Sequence, residues 1–460
     1  MSSTVQSGDR IDVTRVIEGQ TFGPLLVAIV AWSFAIMLTD GFDLTGISFA
    51  APSLVHLWAV PKGAFGPVFS MGLFGIMIGS IAFGYIGDRI GRKRAMIVGA
   101  VVFGAFTLAS VVATNLTELT WIRFIAGIGI GGAVPVAMAL NTEFAPKAWR
   151  ATIVIVMFTG YTTGAAIGGF VAAALIPVYG WQSIFYVGGI TPLVIAALLV
   201  VALPESIRFL AVTGKNRPEL ARLVRALRPD VEITDHTTFI ISDEVPKTGF
   251  ALPQLFAQGR RWVTPLLWIT YIVNSMALFF LQSWLPLVLQ SGGVTQSQAA
   301  FATGMFALGG TIAALVIMRF VDRYGVLFVA ILPLIGIPAV IGLGAVAGSA
   351  AAVIAMAFVV GCCTSGAQAG LNGSAGTFYP TAIRANGVGT AIGVAKIGSI
   401  TSPLIGGALI ARDLPVQQLF IYAAIPVAAA LVGIIALGIA QRRLTEPPAT
   451  AIVVAQGAPA

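Results

Sequence analysis

The sequence predicts an all-α polytopic membrane protein whose twelve transmembrane helices form two pseudo-symmetric halves of six. Composition is the first observation: 57% of the 460 residues are hydrophobic and only 10% are charged, whereas soluble proteins carry about 25% charged residues. The second is that apolar runs of about 20 residues, long enough to cross a bilayer, recur along the chain. The 53 glycines fit this class because small residues let membrane helices approach closely.

The apolar runs predict twelve spans, and one polar segment divides them into two groups of six. The predicted domains are an N-terminal tail (1–23), an N-terminal half (24–203), a central loop (204–261), a C-terminal half (262–440) and a C-terminal tail (441–460). In order along the chain, the predicted spans are 24–50, 65–87, 95–114, 118–144, 152–176, 181–203, 262–290, 298–319, 325–347, 350–378, 383–410 and 415–440.

The distribution of Lys and Arg predicts the orientation in the membrane. Of 26 such residues, all but Lys62, Arg123, Lys396 and Arg412 lie in segments on the side of the N-terminus. Because cytoplasmic loops carry an excess of basic residues, we expect both tails and the central loop in the cytoplasm. The same confinement to short loops explains the net charge of +8 without a nucleic-acid partner.

Several functional classes are disfavoured by what the sequence lacks. Cys362 and Cys363 are adjacent within an apolar run, which is neither a disulfide framework nor a metal-ligand spacing. Residues 1–23 are polar and show no apolar core of a cleavable signal peptide. The sequence contains no recognisable nucleophile–base set or metal cluster. We therefore expect no enzyme activity, no metal and no organic cofactor.

An internal repeat relates the two halves. The segment after the second span reads GYIGDRIGRKRAMI (84–97), and the segment after the eighth reads MRFVDRYGVLFV (318–329). An Asp-Arg-x-Gly core thus recurs at matching positions, Asp88 to Gly91 and Asp322 to Gly325. This pattern predicts two parallel repeats related by an axis along the membrane normal.

The repeated segment resembles the loop 2–3 motif of the major facilitator superfamily. The strings RFIAGIGIGG (123–132), GYTTGAAIGG (160–169) and PESIRFL (204–210) are also similar to that family. The resemblance covers nearly the whole chain. It implies the major facilitator fold and transport by alternating access of the two halves. The residues that carry the motif are Gly84, Asp88, Arg89, Gly91, Arg92, Lys93 and Arg94.

A narrower resemblance rests on the string DGFD (40–43) in the first span. It is similar to the signature of the aromatic acid:proton symporter branch, as are Arg123, EFAPKAWRA (143–151) and YPTAIRANGVG (379–389). Lys396 stands where that branch commonly carries an arginine.

The narrower resemblance implies import of a benzoate-like organic anion, driven by the proton gradient, by a monomer in a bacterial inner membrane. Its partners would be this anion, protons and the lipid bilayer. Transport of another small organic acid and drug:proton antiport are the alternative transport functions. A membrane sensor that binds without transporting is a third possibility, although the central loop is short for a signalling domain.

Asp40 and Asp43 are the candidate proton-coupling residues. They lie three residues apart, hence on one helical face, and a carboxylate within a bilayer usually faces a cavity that carries ions or substrate. Counted along their helices at 1.5 Å per residue, Arg123 lies at a similar depth. One interpretation is a titrating carboxylate beside an anion-binding guanidinium. The other is a fixed ion pair that joins the first and fourth spans.

Polar and aromatic residues interrupt several apolar spans and form the candidate substrate site. Lys396, near mid-membrane, would attract a carboxylate, act as counter-charge to an aspartate, or direct its amine to the membrane surface. Aromatic walls with few polar groups suit an aromatic acid, whereas the polar residues are equally explained by hydrogen bonds between helices. The predicted substrate-binding residues are Arg123, Lys396, Tyr161, Asn274, Trp284, Gln368 and Asn372.

A second charged group is predicted to act as a cytoplasmic gate. Asp88, at the end of the second span, can accept hydrogen bonds from the N-terminal amides of the eleventh. We expect Arg89, Arg92 and Arg150 to pair with Glu143, although retention of a basic loop in the cytoplasm would alone explain the arginines. The predicted gating residues are Gly84, Asp88, Arg89, Gly91, Arg92, Glu143, Arg150, Asp322, Arg323 and Arg384.

Overall fold

The structure is a computed structural model that describes most of the chain. It covers residues 10–20, 23–231, 233–234, 236–242, 252–257, 260–346, 348–380 and 383–445, without the side chains of 151, 318, 322, 385 and 442–445. Within that part, twelve helices are long and apolar enough to cross a membrane. The predicted fold class is therefore confirmed.

The twelve long helices are numbered α1 to α12 in chain order. They are α1 (Pro24–Trp58), α2 (Phe65–Ile90), α3 (Arg92–Ala109), α4 (Leu116–Phe144), α5 (Arg150–Tyr179), α6 (Gln182–Ala202), α7 (Val263–Ser291), α8 (Gln296–Tyr324), α9 (Ile331–Ala345), α10 (Ala350–Ala375), α11 (Arg384–Ile410) and α12 (Val416–Thr445). Helix α1 continues eight residues beyond the predicted end of the first span, because membrane helices tolerate an internal proline such as Pro52.

The two halves, α1–α6 (the N-half) and α7–α12 (the C-half), repeat the same packing. Helix α2 packs on α4 as α8 packs on α10, and α1 packs on α5 as α7 packs on α11. Glycines allow these close approaches: a Cβ on Gly79 would lie 2.1 Å from the Ile128 carbonyl oxygen, and one on Gly361 would lie 1.9 Å from that of Phe306. The correspondence agrees with the predicted parallel repeats.

The halves are closed against each other on one side of the bundle. Because twelve long helices alternate in direction, the start of α1 and the end of α12 lie on one side, here called the terminal side; the opposite side is the distal side. On the distal side Ser70 Oγ donates to the Ile400 carbonyl oxygen at 2.7 Å, and Lys62 Nζ donates to Ser291 Oγ at 2.8 Å. A Cβ on Gly63 would lie 2.4 Å from the Gly407 carbonyl oxygen. The distal ends of α2 and α11 are thus in direct contact.

On the terminal side the same two helices diverge. Space is open within 4 Å of the Cβ positions of Gly84 on α2 and of Gly389 and Gly393 on α11. The two helices are therefore in contact on the distal side, with open space beside their glycines on the terminal side.

A small folded layer covers the terminal side of the N-half. Strand β1 (Arg10–Asp12) pairs in parallel with β2 (Thr238–Ile240), so residues 10–20, predicted as part of a tail, are folded against the central segment. Short helices cover Val13–Glu18, Ile207–Thr213 and Arg217–Leu227. Hydrogen bonds from Arg228 lower the pKa of Asp230 to about 2. The predicted tail residues 1–9 and 446–460 lie outside the described residues.

Candidate functional site

Asp43 forms a saturated, buried ion pair with Arg123. The guanidinium donates through Nη1 to Asp43 Oδ1 at 3.2 Å and through Nη2 to Oδ2, while Thr107 Oγ1 donates to Oδ1 at 2.9 Å. The two charged side chains are 1% and 4% exposed. Asp43 thus joins α1 to α4 and α3, which is the fixed-pair interpretation left open by the sequence.

Asp40 lies on the same helical face but is partnered differently. It is only 3% exposed, and its Oδ1 atom has no hydrogen-bond partner within the described structure. Lys396 of α11 and Tyr161 of α5 lie close enough to Asp40 to interact with its carboxylate electrostatically. A buried carboxylate without hydrogen bonds is costly as an anion. The two aspartates thus differ: Asp43 is held by three hydrogen bonds, whereas Asp40 has an unpartnered oxygen.

The glycine between the aspartates sets their position. A Cβ on Gly41 would lie 1.8 Å from the Tyr161 carbonyl oxygen, and one on Gly164 would lie 1.9 Å from that of Leu38. Only the absence of side chains lets α1 and α5 approach so closely. This contact brings Asp40 beside Tyr161.

A cavity lies between the distal closure and the two aspartates. It is lined by α1, α2, α4 and α7, with Arg123 and Gln282 among its polar residues and Phe69 and Phe279 among its aromatic ones. Gln282 Nε2 donates to the Tyr161 hydroxyl oxygen at 3.3 Å, a hydrogen bond between the halves. An aromatic wall with few polar groups is suited to a flat organic anion.

A polar cluster of the C-half lies closer to the terminal side. Tyr271 donates its hydroxyl to Asn372 Oδ1 at 3.0 Å, and Asn274 Nδ2 donates to Gln368 Oε1 at 2.8 Å. Ser275 Oγ also donates to Gln368 Oε1, at 3.4 Å. The structure thus brings together three predicted substrate residues, Asn274, Gln368 and Asn372, in one network between α7 and α10.

Trp284 belongs to the distal closure. The side chain is fully buried, its Nε1 donates to the Pro403 carbonyl oxygen at 3.3 Å, and its ring meets Phe69 edge to face at 5.1 Å. Sequence reasoning grouped it with the substrate residues because aromatic walls with few polar groups suit an aromatic acid. Its depth near the distal end of α7 separates it from them.

The predicted gate has an ionic network on the terminal side of the N-half. Arg92 lies 2.9 Å from Glu143 and 2.7 Å from Asp88, and Ser206 donates to Glu143. Glu205 accepts a hydrogen bond from the Lys93 backbone amide at 3.1 Å at the start of α3. The glutamate and serine of the string PESIRFL thereby hold the segment after α6 against α3 and α4.

Other predicted gating residues have other partners in this conformation. Arg150 pairs with Glu18 at 3.7 Å, and Arg89 lies 4.3 Å above the ring of Tyr85, so neither pairs with Glu143 as expected. Asp88 is 57% exposed, because the divergence of α2 and α11 removes its expected partners.

The remaining gating residues lie near the terminal ends of their helices. Gly91 has a left-handed φ of 101° between α2 and α3, Arg323 lies 5.4 Å from the ring of Tyr324, and Arg384 donates to the Tyr379 carbonyl oxygen at 3.5 Å. The side chain of Asp322 lies outside the described residues.

Thr107 and Phe69 are site residues that sequence reasoning missed. Thr107 donates a hydrogen bond to Asp43 in addition to those from Arg123, and Phe69 lines the cavity. Both sit in ordinary apolar spans, where a threonine or a phenylalanine gives no local signal of function.

Comparison with known proteins places these features in a family. The family model described as Major Facilitator Superfamily matches residues 33–294 and 267–457. The chain is 35% identical to the gallate transporter of Pseudomonas putida, over 96% of this chain and 98% of that one. It is 36% identical to the 4-hydroxybenzoate transporter PcaK of Acinetobacter baylyi, over 89% and 90%. It is 29% identical to the benzoate transport protein of the same organism, over 95% and 94%.

Solved structures agree on the fold. A bacterial homolog to the human lysosomal transporter Spinster, in an inward-facing and unoccupied conformation, superposes with a TM-score of 0.70 at 16% identity, covering 93% of this chain and 99% of that one. The xylose transporter XylE of E. coli, in a partially occluded inward open conformation, gives a TM-score of 0.65 at 15% identity, covering 89% and 98%.

Proposed function

The chain belongs to the major facilitator superfamily, and we propose that it imports an aromatic carboxylate together with protons as a secondary active transporter. The named substrates of its relatives, gallate, 4-hydroxybenzoate and benzoate, share a carboxylate on an aromatic ring. The observation that carries the coupling proposal is the contrast between Asp40, a buried carboxylate with an unpartnered oxygen, and Asp43, whose oxygens are saturated by Arg123 and Thr107.

Asp40 is the proton carrier in this proposal. An ionised carboxylate removed from water costs several kcal/mol unless a counter-charge or hydrogen bonds compensate it. Lys396 supplies that counter-charge while the site is empty. When a substrate carboxylate takes the positive charge of Lys396, Asp40 loses its compensation and binds a proton. Release of the substrate returns Lys396 to Asp40 and favours release of the proton.

In this proposal the substrate ring packs against Phe69 and Phe279, and the cavity that they line widens to admit it. A guanidinium has five N–H donors, and the pair with Asp43 leaves some of them for a substrate oxygen at Arg123. The polar cluster around Gln368 offers further hydrogen bonds on the path toward the terminal side.

In the proposed alternating access, the distal side opens while the terminal side closes. The distal contacts between α2 and α11 open as the terminal halves of the same helices approach, which brings Gly84 toward Gly389 and returns Asp88 to the N-terminal amides of α11. In this proposal the terminal side, which carries the excess of Lys and Arg, faces the cytoplasm. The proton gradient across a bacterial inner membrane then drives uptake.

Transport of labelled 4-hydroxybenzoate into proteoliposomes tests the proposal. We expect the wild-type protein to accumulate it when the outside is made acidic, with gallate and benzoate as competitors. Asp40→Asn should keep exchange of labelled for unlabelled substrate but lose accumulation, because a neutral amide does not release a proton. Accumulation by Asp40→Asn at the wild-type level would refute the role of Asp40.

Asp413→Asn is the matched control for this substitution. Asp413 is exposed and has a left-handed φ of 50°, which asparagine tolerates. It should accumulate substrate like the wild-type protein. Export of a cationic dye by the wild-type protein, without uptake of any aromatic carboxylate, would instead favour drug:proton antiport.

The proposed role of Lys396 is tested by variants that keep or remove its positive charge. Lys396→Arg should retain binding of 4-hydroxybenzoate, whereas Lys396→Gln should weaken it, measured by calorimetry on purified protein. Unchanged affinity in Lys396→Gln would remove Lys396 from the coupling scheme.

A further inference from the structure

Four buried side-chain oxygens, three in the N-half and one in the segment before α1, have no hydrogen-bond partner within the described structure. They are Gln20 Oε1, Ser33 Oγ, Asp40 Oδ1 and Asn141 Oδ1. Ser33 and Asn141 have no exposed surface at all. Because buried polar atoms are almost always hydrogen-bonded to protein or to ordered water, this group points to water enclosed within the N-half.

Gln20 and Asn141, which carry two of these oxygens, lie at the terminal end of α4. Gln20 Nε2 donates to the Phe144 carbonyl oxygen at 2.5 Å, which holds Gln20 over the end of the helix. Asn141 lies one turn further in, where its backbone carbonyl oxygen, not the side-chain Oδ1, accepts a hydrogen bond from the Ala145 amide at 3.0 Å. Gln20 is thus the entrance from the terminal surface, and Asn141 is the next polar group inward.

Met157 connects Asn141 with Ser33. Asn141 Nδ2 lies 3.5 Å from the sulfur of Met157 on α5. One turn further along α5, a Cβ on Gly160 would lie 2.7 Å from the Phe34 carbonyl oxygen. Met157 and Gly160 share one face of α5, and Gly160 packs against the turn of α1 that contains Ser33 and Phe34. We infer from this that Met157 lies between Asn141 and that turn.

Ser33 and Asp40 share one face of α1, two turns and about 10 Å apart. Met37 fills the turn between them, and its unbranched thioether can change rotamer to admit water. Asp40 is also faced by Lys396 from α11 and Tyr161 from α5, and by Asp43 on its own helix.

We propose that these oxygens bind a column of internal water, and that this water carries the proton between Asp40 and the terminal side. The column is distinct from the substrate cavity, whose lining includes Arg123 and Gln282 but neither Ser33 nor Asn141. The inference rests on the proposed proton symport.

The proton-transfer step balances without any further reactant. The O–H bond of the Asp40 carboxylic acid breaks, its electron pair stays on the carboxylate, and the proton bonds to the adjacent water. Transfer along the column then releases one proton from the water beside Gln20 into bulk solvent.

Radiolytic footprinting of the purified full-length protein tests for the water itself. Hydroxyl radicals formed from internal water oxidise adjacent methionines to sulfoxides, detected by mass spectrometry. Met157 and Met96 are both fully buried in the N-half; Met157 lies 3.5 Å from Asn141, whereas Met96 lies on another helix, α3, and serves as the reference. We expect Met157 to be oxidised several-fold faster than Met96, and Ser33→Ala with Asn141→Leu to abolish the difference. Equal rates in the wild-type protein would overturn the inference.

Transport tests whether the water conducts protons. Ser33→Ala and Asn141→Leu should slow uptake driven by a pH gradient by about tenfold or more, since a proton relay is lost, while exchange of labelled for unlabelled substrate continues. Wild-type rates of gradient-driven uptake in both variants would overturn the proton path. Ser33→Ala, the smaller change, decides the question if Asn141→Leu does not fold. A wild-type protein without any gradient-driven uptake would refute the symport, while Met157 footprinting would still report on the water.

Discussion

The N-half and the C-half are built on the same packing but bury different chemistry. In both, glycines let paired helices touch backbone to backbone, as at Gly79 in the N-half and Gly361 in the C-half. The N-half buries a full ion pair between Asp43 and Arg123. The C-half has instead a neutral, only partly buried network of amides and hydroxyls around Gln368.

This difference shows that the repeat fixes how the helices approach and leaves the cavity side chains free to diverge. Carboxylates in the N-half provide groups that can exchange protons. Amides and hydroxyls in the C-half provide directional contacts without charge. Lys396 on α11 is a positive charge that the C-half places near Asp40 of the N-half.

The largest effect is expected from breaking the buried ion pair of the N-half. Asp43→Asn leaves the Arg123 guanidinium buried without its counter-charge, which typically costs about 3–5 kcal/mol. We expect a strongly lowered melting temperature in detergent and little recoverable transport.

The double variant Asp43→Asn/Arg123→Gln provides the control, because it removes both charges. It should recover part of the stability lost in the single variant, without recovering transport. A single variant as stable as wild type would mean that Asp43 is not locked in the pair.

The next largest effect tests the shared packing of the two halves. Gly41→Val would place its Cβ 1.8 Å from the Tyr161 carbonyl oxygen, and Gly398→Val in the C-half would place its Cβ 2.1 Å from that of Ile272. Overpacking of this kind costs about 1–3 kcal/mol or more. Both variants should lower the melting temperature to a similar extent.

Gly393→Ala is the matched control in open space on α11. It should be neutral or slightly stabilising, because Ala is favoured over Gly within a helix by about 0.5–1 kcal/mol. Destabilisation in only one half would contradict a common packing framework.

The sequence predicted the helices better than the partners of their side chains. Apolar runs and basic loops are local signals, and they were enough to find the spans and the similar depths of Asp43 and Arg123. Which aspartate is paired depends on Thr107 from another helix, and the position of Trp284 depends on how α7 meets α11. The pairing of β1 with β2 joins two three-residue strands that are more than 200 residues apart, and such short strands carry no periodic pattern.

A smaller and more selective effect is expected from the C-half network. Gln368→Leu removes the acceptor of Asn274 and Ser275, which should raise the KM for 4-hydroxybenzoate by about tenfold, equivalent to about 1.4 kcal/mol. The ratio of protons to substrate should not change, because no charge is altered. Loss of proton coupling in Gln368→Leu would contradict the division of roles between the halves.

The smallest effect is expected at the exposed charges of the N-half. Glu18 and Arg150 form an ion pair at 3.7 Å with side chains 32% and 29% exposed, and exposed pairs typically contribute about 0–1 kcal/mol. Glu18→Gln should therefore shift the melting temperature only slightly, and less still at high salt because screening weakens such pairs.

Glu143→Gln is the variant to compare with it, since the Glu143 side chain is 15% exposed and interacts with Arg92 and Ser206. It should lower the melting temperature clearly more than Glu18→Gln. Equal shifts in the two variants would show that the greater burial of Glu143 does not strengthen its contribution to stability.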